Sequence, residues 1–163
     1  MTGDPGERNI ELVRRLNEVF DRYDLVSVRD ALESSDTVAL TSGELGALSR
    51  EMAEAIDEDI EVEFRISSPL IEGTRFVGLQ GWTELWRQWL GAWDEYSLTC
   101  SNYEAIEDHV IVDVVHHGRG RSSGMEVELT QAQLWTLREG RVIRQIIFDS
   151  RSDALGAIWE GAD

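Results

Sequence analysis

The sequence predicts an α+β fold, with helices first, then one strand, a further helix, and four strands in succession. Three observations carry this. Early in the chain apolar residues recur at three- and four-residue spacing, as on amphipathic helices. Ile60, Val62, Phe64 and Ile66 alternate with Glu61, Glu63 and Arg65, as on a half-buried strand. From Leu98 onward, stretches rich in Val, Ile and aromatics follow one another across short polar connections. Short connections imply antiparallel neighbours, so these four strands form a meander. Strands and helices do not alternate as they do in an α/β chain.

Residues 1–6 contain Thr, Gly, Asp and Pro and are expected to be a flexible terminus. From about Glu7, Ile10, Val13, Leu16, Val19, Phe20 and Tyr23 mark the first helix. Leu25, Val28 and Leu32 mark a short second one, ended by Ser34, Ser35 and Asp36. Residues 37–40 form either a short strand or a loop. Thr41 and Glu44 match a capping box, and Leu45, Leu48, Met52, Ala55 and Ile56 continue with helical spacing over about 42–57. Asp57, Glu58 and Asp59 then separate this helix from the strand 60–66. Residues 67–77, with Pro69 and Gly73, read as a loop.

After Gly78 and Gly81 come Trp82, Trp86, Trp89 and Trp93, four of the chain's six tryptophans. Intervals of four, three and four residues place them on one helical face. The stripe is either core or the wall of an apolar pocket. Trp86 and Trp89 are the central candidates for a ligand wall, with Trp82 and Trp93 anchoring the ends. The strands follow at 98–106, 109–117, 125–137 and 141–149, with 118–124 as a flexible connection. Ser150 or Ser152 caps a last helix, 153–159, and 160–163 form a tail. Residues 7–159 are expected to be one domain.

Composition narrows the partners. The formal net charge is −17, so nucleic acid and anionic membrane surfaces are poor partners. All non-histidine basic residues are arginine, which excludes Schiff-base chemistry through lysine. The single cysteine, Cys100, has no partner for an intramolecular disulfide. No signal segment and no apolar run of membrane-spanning length is seen, and a cytoplasmic address is expected. The three histidines lack metal-ligand spacing, and neither metal nor cofactor is expected.

Several phrases, in this order and spacing, resemble the SnoaL-like proteins of the nuclear transport factor 2-like (ketosteroid isomerase-like) superfamily. They are the strand 60–66, Arg75-Phe76-Val77-Gly78-Leu79-Gln80-Gly81, the Trp-rich helix, the 118–124 connection, Ala132-Gln133-Leu134-Trp135-Thr136-Leu137, and Phe148-Asp149. The resemblance implies an α+β cone, with N-terminal helices packed in a strongly curved, mainly antiparallel sheet. It also implies an interior pocket and a homodimer through the sheet. Relatives in this superfamily include isomerases, dehydratases, polyketide cyclases, epoxide hydrolases and non-catalytic binding domains, so the fold does not name the chemistry.

Against those chemistries, the segment 64–69 contains no carboxylate where isomerases and cyclases often carry one. Arg65 stands there instead, either as a binder of an anionic group or as an exposed strand residue. Asp113 and His117 share a face of the 109–117 strand and would make a proton-transfer pair if that face lines the pocket. On the opposite, rim or convex, face they would simply be solvated. Asp149 is either a pocket acid or a helix cap. Gln133 and Trp135 lie on one face of the long strand with Val127, Leu129, Gln131 and Leu137, the better candidate for the pocket side. Gln133 would orient a carbonyl or hydroxyl, or satisfy buried backbone groups. Tyr23 would add a phenol to the cavity or lie at the surface.

The expectation is a binder of a hydrophobic or aromatic small molecule. Its ligand wall would draw on Tyr23, Arg65, Trp86, Trp89, Gln133 and Trp135. The alternatives are an acid/base enzyme of cyclase, isomerase or dehydratase type working through Asp113, His117 or Asp149, and a non-catalytic dimerisation module.

Overall fold

The computed structural model describes residues 4–18, 28–30, 43–66 and 75–159. Helix α1 spans Pro5–Asn17. It starts before the first apolar repeat because Asp4 caps it, its carboxylate accepting the Glu7 N–H at 2.8 Å, and Pro5 supplies a preset first turn. Tyr23 and the expected second helix lie largely outside the described residues. Helix α2 spans Gly43–Ala55.

Strand β1 runs Ile56–Arg65 and therefore absorbs the acidic triplet that reads as a break. The pairing register shifts between Ile56 and Glu61, so the triplet sits in a bulge, with Glu58 and Asp59 exposed. Ile56 and Ile60 stay fully buried on either side. A short strand β2, Arg75–Val77, forms at the end of the expected loop and pairs antiparallel with β1.

Helix α3 spans Gly78–Gly91, shorter than the tryptophan stripe suggests. Ala92 caps it, and Trp93 opens strand β3, Trp93–Ile106. A register shift between Trp93 and Glu95 brings Trp93 and Tyr96 together despite their three-residue spacing. Strands β4 (His109–Gly120), β5 (Glu126–Arg138) and β6 (Arg141–Phe148) complete the meander, and helix α4 covers Arg151–Trp159. Ser150 caps α4 by accepting the Asp153 N–H at 3.2 Å.

The sheet order is β2-β1-β6-β5-β4-β3. All pairs are antiparallel except β1 with β6, so the sheet is mostly antiparallel, curved and unclosed. Its two faces bury different partners. One face meets α1 and α3 in the larger core, with Val13, Leu16, Val62, Leu85, Trp89, Val112, Val114 and Trp135. The other is covered by α4, whose Ala154 and Ala157 pack on Ile111, Ala132, Leu134, Ile146 and Phe148. Strand β4 is thus apolar on both faces.

Gly118 on β4 faces the Trp93 ring. A Cβ there would lie 2.6 Å from the ring and 2.7 Å from the Glu95 carbonyl oxygen. The ring is held by Trp89 and Tyr96, and the carbonyl is backbone, so neither can yield cheaply. Gly118→Ala is expected to lower stability by about 1–3 kcal/mol in urea unfolding. Gly156, within α4 with open space around its Cβ position, is the control: Gly156→Ala should stabilise by up to about 1 kcal/mol.

Candidate functional site

Where α3 crosses the sheet, a partly enclosed cavity of about 50 Å³ remains. Its walls are Phe64, Leu85, Trp86, Trp89 and Ile147, and its polar groups are His116, Gln131, Gln133 and Gln145. The volume holds roughly three waters or one end of an organic molecule. Among the described lining residues no carboxylate, lysine or arginine appears.

Alternation puts the polar groups there. On β5, Gln131, Gln133 and Trp135 point to the helix side, while Ala132 and Leu134 go under α4. Gln145 and Ile147 of β6 reach the same side, across from Trp135 and Gln133 in register. On β4 it is His116, following Val112 and Val114, that faces the cavity.

Hydrogen bonds fix these groups in two chains. The Tyr96 phenol lies 2.6 Å from His116 Nδ1, and the Trp89 ring packs edge-on against it at 5.9 Å. Burial pulls the His116 imidazole down to about 4, so it is neutral near pH 7. Its Nε2 meets Gln131 Oε1 at 2.8 Å, and an amide oxygen only accepts, so the one ring proton sits on Nε2 and Nδ1 accepts from the Tyr96 hydroxyl. Burial also pushes the Tyr96 phenol well above its usual range, so it stays protonated.

In the second chain Trp135 Nε1–H donates to Gln133 Oε1 at 2.9 Å, and Asn17 Nδ2 donates to the same oxygen at 3.1 Å. Asn17 also reaches the Tyr103 hydroxyl at 3.3 Å. Burial raises Tyr103 to about 12. Gln145 is 5 % exposed, lines the cavity, and has no side-chain partner among the described residues.

The residues singled out from sequence are distributed as follows. Trp86, Trp89 and Gln133 line the cavity. Trp135 is buried behind it and orients Gln133. Asp113 and His117 lie on the face away from the cavity, the second of the two alternatives. Asp113 accepts from Arg151 at 3.0 Å and Asn102 at 2.7 Å, tying α4 to the sheet. His117 lies 3.5 Å from Glu128 in a wider surface cleft of about 490 Å³, shared with Glu95, Arg119 and Glu126. The charges in that cleft pair with one another in solvent. Asp149 is exposed and lines no part of the cavity, and Ser150 takes the capping role. Arg65 points outward, paired with Glu63 at 2.7 Å and set over the Phe148 ring at 5.8 Å. Tyr23 lies outside the described residues.

Sequence reasoning did not select His116 and Gln145 for the site. The signal for Gln145 was its pairing with Trp135, which only the strand register supplies. Among the described residues no group of three or more His, Cys, Asp or Glu is placed to hold a metal ion.

The SnoaL-like domain profile matches residues 39–145, more than half of the chain. The chain belongs to the SnoaL-like domain family. Solved structures agree on the fold of this SnoaL-like domain. A candidate SnoaL-like polyketide cyclase from Jannaschia sp. CCS1 is 17% identical at a TM-score of 0.62, over 96% of this chain and 95% of that one. A candidate isomerase from Bacillus subtilis is 16% identical at 0.60, over 90% and 88%. An NTF2-like protein of unknown function from Mesorhizobium loti is 16% identical at 0.58, over 91% and 95%. At such identities the likeness carries the fold and not the reaction. No curated protein matches the chain in sequence.

Proposed function

We propose that this SnoaL-like domain binds a hydrophobic or aromatic small molecule between the tryptophan wall of α3 and the amide floor of β5 and β6. One observation carries the reading: Gln145 is buried at the cavity with an amide that has no partner among the described residues. That amide opens onto the cavity, where a ligand or a water can take its hydrogen bonds. Trp86, Trp89, Phe64 and Ile147 supply apolar contact around it. An uncharged site favours an uncharged ligand.

The acid/base alternative rests on His116, the one titratable side chain among the described lining residues. Both of its ring nitrogens are already engaged, by Tyr96 and Gln131, so it has no free position to take a proton from a substrate. Binding is therefore the favoured reading. It extends to a homodimer, over the part of the outer sheet face that α4 leaves uncovered, and to a cytoplasmic setting. The charge of −17 disfavours nucleic acid and anionic membrane as partners, and no described helix is long and apolar enough to cross a membrane.

The test is capture of small molecules from a cell extract on immobilised protein, read by mass spectrometry, beside Ile147→Trp, which fills the cavity. A neutral, apolar compound held by the parent protein and lost from the variant is expected. Identical captures by both proteins, or capture of anions only, would overturn the reading.

A further inference from the structure

Both hydrogen-bond chains run in one direction and end at the cavity. In the first, the Tyr96 O–H donates to His116 Nδ1 and the His116 Nε2–H donates to Gln131 Oε1. In the second, the donor-only indole of Trp135 requires that the Gln133 atom it meets be the oxygen, and Asn17 donates to that oxygen too. Each glutamine therefore has its carbonyl turned back into the protein. What each has left for the cavity is its NH₂ group, and neither NH₂ has a protein partner among the described residues. Gln131 and Gln133 are 5 % and 7 % exposed, and both line the cavity.

We propose that Gln131 and Gln133 form a pre-oriented pair of N–H donors and that the cavity takes the carbonyl end of a neutral ligand. The inference rests on the binding reading above and narrows it to a chemical class. A carbonyl oxygen has two lone pairs and no proton, which matches two donors. Its size also suits the space, since about 50 Å³ admits a carbonyl and the carbons beside it while the rest of the molecule extends along Trp86. Donors arranged in chains polarise one another, which strengthens the terminal N–H groups. Gln145, unconstrained, turns either amide end to the ligand and leaves the pair unchanged. Asn17, Trp135, Tyr96 and His116 act as positioning residues: they touch the glutamines and set which atom each presents.

The experiment compares cyclopentanone with cyclopentene, a ring of similar size without the oxygen. Both are titrated into the full chain while the side-chain amide ¹⁵N–¹H signals of Gln131 and Gln133 are followed by NMR. Binding of the ketone roughly tenfold tighter, with both amide signals moving, is expected. Gln131→Met and Gln133→Met, which keep length and remove the donors, should bring the ratio toward one while cyclopentene still binds. That retained hydrocarbon binding shows that the variants are folded. Tyr96→Phe should weaken the ketone preference and shift the His116 ring ¹⁵N signals away from a single Nε2–H tautomer, which loss of packing alone would not do. Equal binding of the two rings by the parent protein would overturn the donor pair and leave the binding reading standing. Binding of neither would overturn both.

Discussion

Trp89→Ala is expected to lower stability by about 3–5 kcal/mol and to abolish ligand binding together. Trp89 is 6 % exposed and packs edge-on against three rings: Trp93 at 5.5 Å, Tyr96 at 5.9 Å and His116 at 5.0 Å. Truncation leaves a hole that α3 and the sheet cannot close, because Gly118 is already pressed against Trp93 on the far side. It also removes the ring that holds Tyr96 and His116 in place, so the pair that orients Gln131 loses its packing support. Trp89→Phe is the intermediate case: it keeps an aromatic ring at this place and loses only part of the packing. Trp159 is the contrast. At 76 % exposure, its replacement by alanine should move stability by no more than about 0.5 kcal/mol. Urea unfolding of the three variants checks the order; equal losses at Trp89 and Trp159 would contradict the packing described above.

Acidification should destabilise the protein through His116. In the unfolded chain an imidazole titrates near 6.5, whereas burial holds His116 near 4 in the fold. Between those values the unfolded chain binds a proton that the folded chain refuses. Stability therefore falls as pH drops from about 6.5 to about 4, and this contribution is flat above and below that window. The gap corresponds to on the order of 3 kcal/mol. Carboxylates also titrate in this range, so the measurement is a difference. Urea unfolding of the parent and of His116→Phe, from pH 7 to pH 4, should show a steeper loss for the parent whatever the offset at pH 7. Parallel curves would mean that His116 is not buried neutral.

Much of the fold was legible because its strands carry one-sided patterns. On β5 the face holding Gln131, Gln133 and Trp135 is the cavity face, as the alternation predicts. Strand β4 offers no such guide. Ile111 goes under α4 while Val110, Val112 and Val114 enter the larger core, so both faces are apolar. Nothing in the local sequence then tells His116 from His117, or shows that Asp113 answers Arg151 from a distant helix. Trp93 misleads in another way: it lies four residues past Trp89, a helical interval, but the helix ends at Gly91 and Trp93 opens β3. Gln145 was hidden between Arg144 and Ile146 and became visible only through its pairing with β5.

The most direct measurement on the central claim is a titration of the ¹⁵N-labelled protein with the compound recovered in the capture experiment. The side-chain amides of Gln131, Gln133 and Gln145 and the indole signals of Trp86 and Trp89 are predicted to move together and saturate at one ligand per chain. Movement confined to the cleft around His117 and Arg119, with the glutamine amides still, would contradict the site proposed here.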